Sequence, residues 1–273
     1  MHNYHTHSHY CDGKGSLEEI VQAAISLNMK ALGFSSHTPL PFASEWSMKA
    51  EKLPLYLAEI EKLKHQYAEQ IEIYASLEGD YIKDVFCMND LGIKMDYTLC
   101  SIHFLQGREN EKVYEIDGTS TTFATALKEG FDGNIEMLLA YYFRAFCDMV
   151  ETTQPDIVGH FDKIKIHNSA HFFFDTNNQY YLQHAENALF AIKEAGCKLE
   201  VNTRGIYKKR TSETYPSLAL LQIAQDFDIP IVLNSDAHRP QELMECFDIG
   251  NEVIKKAGYK EKWVLEQGKW LCI

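Results

Sequence analysis

At 273 residues, the chain has room for one large α/β domain or two small ones, and length alone does not choose. Its formal charge of −13 argues against a nucleic-acid surface, which needs an excess of Lys and Arg, but leaves open a small anionic substrate that meets bound cations. The 45% hydrophobic content suits a soluble protein with a substantial core, the longest apolar run (137–143) falls far short of a membrane span, and residues 1–4 carry no secretory signal.

The first strand-like run, residues 3–7, places His5 and His7 at i and i+2 on one side, with Asp12 five residues beyond His7. Ser16 and Glu19 make a capping box for a helix whose Leu17, Ile20, Val21 and Ala24 share a face. A second strand, 31–37, ends in His37. Pro54 opens a helix with Leu53, Leu57, Ile60, Leu63 and Tyr67 at three-to-four spacing. A third strand, 71–78, ends in Glu78, and residues 89–97 lead to a fourth, 97–104, without a convincing long helix. Residues 106–133 are polar and contain glycine; they read as a loop or lid over a site. Asn134 caps a helix that turns Leu138, Leu139, Tyr142, Phe146 and Met149 inward. His160 lies near the end of a fifth strand, 156–161, and Ala185, Leu189 and Ile192 mark the next helix, stopped by Gly196. A sixth strand, 198–203, runs into Arg204, and Pro216 opens a helix through Leu218, Leu221 and Ile223. The seventh strand, 229–236, delivers Asp236 and His238, followed by a helix over about 241–257 ending at Gly258. Residues 262–273 read as a hairpin around Gln267 and Gly268.

Every strand but one thus ends in, or is followed at once by, a metal-grade side chain: His5, His7, Asp12, His37, Glu78, His103, His160, Asp236 and His238. An open sheet would spread those ends in a row, whereas a closed barrel gathers them in one mouth. The expectation is a distorted (β/α)7 TIM-like barrel, a single domain over residues 1–273, since no repeat or linker divides the chain. Burying so many ionisable groups without a counter-cation would be costly, so the nine together point to bound metal. Two ions about 3.5–4 Å apart can share a hydroxide that is nucleophilic at neutral pH. Arg204, just past the sixth strand, suits a bidentate grip on phosphate.

Single histidines are more often hydrogen-bonded structural residues than ligands, which covers His2, His65, His167, His171 and His184. His9 alternates onto the side of His5 and His7 and is read as a contact to substrate or to one of the ligands. The P-loop spacing is absent around Lys14, and neither a GxSxG elbow nor a Cys/His nucleophile pair is present. Seven cysteines at wide spacings, without a CxxC, point to reduced thiols and a cytoplasmic location.

His5-x-His7-x-x-x-Cys11-Asp12-Gly13, Ser36-His37, Glu78-Gly79-Asp80, Ser101-Ile102-His103, Gly159-His160-Phe161-Asp162 and Ser235-Asp236-Ala237-His238 resemble, in order and spacing, the motifs of the polymerase and histidinol phosphatase (PHP) family. Cys11 stands where serine is common. The stretches Ser36-His37-Thr38-Pro39-Leu40-Pro41, Ser101-Ile102-His103-Phe104-Leu105 and Leu199-Glu200-Val201-Asn202-Thr203-Arg204-Gly205 are similar to its monofunctional histidinol-phosphate phosphatases. The resemblance implies three divalent ions, Zn, Mn or Fe. His5, His7, Glu78 and Asp236 would hold the first; Glu78, His103 and His160 the second; Asp12, His37 and His238 the third. It implies hydrolysis of L-histidinol phosphate in histidine biosynthesis by a metal-bridged hydroxide, with Asp236 and His238 as catalytic groups and Arg204 on the phosphate. Glu115 and Asp117 would lie near the imidazole and amino ends of the substrate.

Two alternatives accompany this expectation. One is a phosphoesterase of the same family acting on nucleotides or other small phosphomonoesters. The other is a non-catalytic, metal-stabilised module. From the ligand types alone, a metal-dependent amidohydrolase is chemically open too.

Overall fold

The computed structural model describes residues 1–168 and 172–273. Its strands, in chain order, are β1 (His2–Asn3), β2 (Ala31–Phe34), β3 (Glu72–Ala75), β4 (Glu78–Ile82), β5 (Phe86–Cys87), β6 (Leu99–Ser101), β7 (Phe104–Gln106), β8 (Val113–Glu115), β9 (Ile157–Val158), β10 (Lys198–Asn202), β11 (Ile231–Asn234), β12 (Trp263–Glu266) and β13 (Lys269–Cys272). The α-helices are α1 (Leu17–Ser26), α2 (Leu53–Gln66), α3 (Ser120–Thr125), α4 (Ile135–Thr153), α5 (Gln179–Glu194), α6 (Arg204–Tyr207), α7 (Leu218–Asp226) and α8 (Phe247–Lys256). Among the described residues no helix is long and apolar enough to cross a membrane.

Local chemistry sets the helices. The Ser16 hydroxyl accepts from Glu19 N–H while the Glu19 carboxylate accepts from Ser16 N–H at 2.8 Å, the capping box read in the sequence, and Leu17, Ile20, Val21 and Ala24 are buried. Asn134 caps α4, whose Leu138, Leu139, Tyr142, Phe146 and Met149 pack inward against α5 and the sheet. Two expected helices differ. α7 starts at Leu218, capped by Ser217 rather than opened by Pro216. The span expected as one helix from 241 is a 3₁₀ turn (Pro240–Glu242) and then α8, interrupted where Cys246 takes a φ of 58°.

The strands form an α/β architecture of parallel ladders. One sheet runs β1-β2-β3; the other runs β11-β10-β9-β6-β4, with antiparallel β5 at its edge. Ser76 and Leu77 carry the chain directly from β3 in the first sheet to β4 in the second. The ladders are open, which departs from the expected closed barrel. Isolated parallel bridges, Thr6 to Ala237 and His37 to Glu78, lie between the two sheets. The first strand stops its ladder at Asn3 because side chains take its backbone donors. Tyr4 N–H donates to Asn234, His5 N–H to Asn3, Thr6 N–H to Ser35 and Ser8 N–H to Ser36.

Residues 106–133 are not the irregular stretch their composition predicts. β7 and β8 pair as an antiparallel hairpin, and α3 follows, capped by Thr119. The β12–β13 hairpin turns at Gln267 and Gly268 as read, and its Val264 and Leu265 join Tyr4, Tyr97, Leu99 and Ile157 in a separate small core.

Candidate metal centre

Four chain segments leaving other strand ends converge on one carboxylate, that of Glu78. Its Oε2 lies 3.2 Å from His5 Nε2, 3.4 Å from His7 Nε2 and 3.0 Å from His37 Nδ1. Its Oε1 lies 3.4 Å from His103 Nε2 and 2.7 Å from His160 Nε2, and accepts from Ser101 Oγ at 2.6 Å. Gly159 makes this approach possible: a Cβ there would collide with Ser101 Oγ and push His160 away.

A second carboxylate, Asp236, sits just past β11 at a φ of 54°, a left-handed backbone that Asp tolerates and that turns it into the cluster. Its Oδ1 is 3.3 Å from His7 Nε2 and 3.7 Å from His5 Nε2. Asp12 completes the group, with Oδ2 3.1 Å from His238 Nε2 and Oδ1 3.8 Å from His37 Nε2. The Arg204 guanidinium, held at the first residue of α6, donates to Asp236 O at 2.8 Å and stands 2.7 Å from His238 Nδ1. A cavity of about 460 Å³ opens above, lined by Glu78, Asp236 and His238 together with Trp46, Asp117 and Lys163.

The residues fit a cation. His5 Nε2, His7 Nε2, His37 Nδ1, His103 Nε2, Asp12 Oδ1 and Asp236 Oδ1 are all buried without a hydrogen-bond partner, an arrangement that is costly unless something positive binds them. Ligand atoms of four overlapping groups lie within 4.8 Å of one another: His7, Asp12, His37 and His238; His5, His160 and Asp236; His5, His7 and Glu78; His37, Glu78 and His103. Imidazole nitrogen with carboxylate oxygen is a donor set for Zn²⁺, Mn²⁺ or Fe²⁺. Burial alone would raise the Glu78 carboxyl, but the imidazoles of His5, His103 and His37 hold it well below the usual carboxylate range. Burial opposes ionisation of Asp236 too, and His5 and Arg204 overcome it. Burial pushes His37 well below the ordinary imidazole value, helped by neighbouring His7.

The structure therefore gathers all nine side chains singled out at the strand ends, with Arg204 beside them. It does not bring His9 in. That residue is exposed, its N–H donates to Gly15 O, and its ring lies on Tyr10. His2 pairs with Glu266, His65 is exposed, and His167 and His184 lie outside the cluster; His171 lies outside the described residues. Glu115 and Asp117 do reach the cavity, presented by the β7–β8 hairpin and the turn after it. Glu115 accepts from Trp46 Nε1 at 2.8 Å, and Asp117 pairs with Lys163 at 2.9 Å.

Four side chains around the cluster have no role in the sequence reading, although Asp80 and Glu200 stand within its motifs. Glu200 and Asp80 back His5 and His103 at 2.7 and 2.9 Å, Lys163 faces the cavity, and Trp46 packs edge-on to His37. The signals available were weak: an acid between Leu199 and Val201 in an apolar strand, an acid two residues after Glu78, and a lysine three after His160.

Comparison with known proteins matches residues 3–204 to the PHP domain. The Probable histidinol-phosphatase of Deinococcus radiodurans is 30% identical over 266 residues, 93% of this chain and 92% of that protein. Among solved structures, a candidate histidinol phosphatase, hisK, of Listeria monocytogenes superposes with a TM-score of 0.81 at 24% identity, covering 91% of this chain and 99% of its own. The histidinol phosphate phosphatase of Lactococcus lactis, crystallised with zinc, L-histidinol and phosphate, gives 0.73 at 21%, covering 99% and 98%.

Proposed function

The chain belongs to the PHP domain family, and we propose that it hydrolyses L-histidinol phosphate to L-histidinol and phosphate, a step of histidine biosynthesis, at a centre of divalent ions. The observation that carries this is the Glu78 carboxylate with five imidazole nitrogens within 3.4 Å of its two oxygens, at the floor of a cavity that also holds a guanidinium. The names of its relatives support the substrate. The parallel bridges between the two sheets support reading residues 1–273 as one domain, a distorted (β/α)7 barrel with seams at Thr6 and His37.

In this reading three ions, Zn, Mn or Fe, are shared among the ligands. His5, His7, Glu78 and Asp236 hold the first, Glu78, His103 and His160 the second, and Asp12, His37 and His238 the third. When bound, divalent cations supply positive charge against the phosphoryl oxygens and make water nucleophilic at neutral pH. The protein's own groups do the rest. Arg204 orients the phosphate through two N–H donors. Asp236 and His238, at the phosphoryl end, would orient the water from which the leaving alkoxide takes its proton. Glu115 and Asp117 face the imidazole and ammonium ends of the substrate, and Trp46 excludes water above His37. The seven free cysteines accord with a reducing, cytoplasmic setting.

One feature favours a second reading. Lys208 and Arg210 also line the cavity, cations that would suit a more anionic phosphomonoester such as a nucleotide. A panel decides between them. kcat/KM for histidinol phosphate should exceed that for nucleoside monophosphates and sugar phosphates by at least about 10²-fold, since a site built to bond polar substrate groups rejects analogues lacking them. Equal values across the panel would favour the broader phosphoesterase.

A further inference from the structure

Two buried carboxylates outside the expected ligand set, Glu200 and Asp80, stand directly behind two of the imidazoles. Glu200 Oε1 is 2.7 Å from His5 Nδ1, and Asp80 Oδ1 is 2.9 Å from His103 Nδ1. A carboxylate can only accept, and a neutral imidazole carries one N–H. Each contact therefore places the hydrogen on Nδ1 and leaves the Nε2 lone pair facing Glu78, at 3.2 Å for His5 and 3.4 Å for His103.

The carboxylates are themselves held. Glu200 Oε1 also accepts from Asn234 Nδ2 at 2.9 Å, while its Oε2 accepts from His160 N–H at 2.8 Å and Asn202 Nδ2 at 3.0 Å. One side chain on β10 thus ties the ring of His5, the backbone of His160 and the end of β11 together. Asp80 Oδ1 additionally accepts from His103 N–H at 3.2 Å, which fixes that imidazole at ring and backbone alike. Glu200 and Asp80 are both fully buried, and neither lines the cavity, so neither can touch a substrate.

We infer that Glu200 and Asp80 are positioning residues that set the tautomer and orientation of His5 and His103 and thereby tighten the hold on the cations, without contacting substrate. This rests on the reading of His5 and His103 as ligands. Such partners orient a ligating imidazole and raise its basicity, and their loss costs about 10–100-fold in metal affinity.

The test is chelator competition on wild-type, Glu200→Gln and Asp80→Asn protein, with bound zinc or manganese counted elementally. Both variants should surrender ions at chelator concentrations about 10–100-fold lower than wild type. Excess metal should return kcat towards the wild-type value with KM for the phosphomonoester unchanged. Variants that hold ions with wild-type affinity, or whose lost activity excess metal does not recover, overturn the inference. Should Glu200→Gln fail to fold, Asp80→Asn decides, because it has fewer partners to lose. Wild-type protein that binds no ion would instead sink the proposed metal centre, a distinguishable result.

Discussion

Glu78 is the residue on which the site turns, because among the described residues it is the one carboxylate within reach of five imidazoles from four other segments. Replacing it with glutamine keeps the shape and removes the charge that a shared cation needs. Glu78→Gln should lose bound metal on dialysis and slow phosphate release by more than about 10²-fold, exceeding the effect of losing an outer partner. Arg204 acts at the other end of the chemistry. Lysine there keeps a charge but not the two-pronged donor, so Arg204→Lys should lower kcat/KM by about 10-fold, mostly through KM, in steady-state assays. An unchanged KM would take Arg204 off the phosphate. His5, His7, His37 and Asp236 are legible in the sequence because strand ends delivering imidazole and carboxylate have few other uses. Glu200 and Asp80 are not, because a buried acid on an apolar strand becomes meaningful only once its hydrogen-bond partner is known, and that partner lies 195 residues away for Glu200.

At the scale of elements, the helices follow their caps: Ser16 and Asn134 announce α1 and α4 because they satisfy backbone donors through local contacts alone. The three-residue strands β7 and β8 carry too little alternation to stand out from a polar stretch, and only their mutual pairing makes them visible. Yet this hairpin and the turn after it bring Glu115 and Asp117 to the cavity, with Asp117 Oδ2 3.9 Å from His103 Nε2. Their role in the proposed reaction is to recognise the cationic part of the substrate, not to assist phosphoryl transfer. Glu115→Gln and Asp117→Asn should therefore raise KM for histidinol phosphate by about 10-fold while leaving hydrolysis of p-nitrophenyl phosphate, which lacks those groups, near wild type. Equal losses on both substrates would move these acids into the catalytic machinery.

For the whole molecule, cation binding and folding are coupled through the same side chains. Asp12, Glu78 and Asp236 all have carboxyls depressed in the folded chain. The stability they contribute is present above the unfolded value of about 4 and is lost only as pH falls through the lower folded values. Against burial, which disfavours the charged ring, neighbouring carboxylates hold the His5 and His103 imidazoles well above their ordinary value, so these rings take up protons before the carboxylates do. Acidification to about pH 5 should strip the ions and abolish activity while near-UV circular dichroism persists, and neutral buffer with fresh metal should restore both metal and rate. Loss of the near-UV signal before the ions leave would contradict that order. The sequence conveys that six strand ends meet, because the chemistry of their last residues demands it. It does not convey where the hydrogen-bonded ladders stop, since that depends on Asn3, Ser35, Ser36 and Asn234 side chains taking backbone donors along the first segment. The most direct test of the whole account is phosphate release from L-histidinol phosphate by wild-type and Glu78→Gln protein, with metal in each preparation counted elementally. The account predicts metal-loaded, active wild type beside a metal-poor, inactive variant. Metal-replete wild type that releases no phosphate would contradict it.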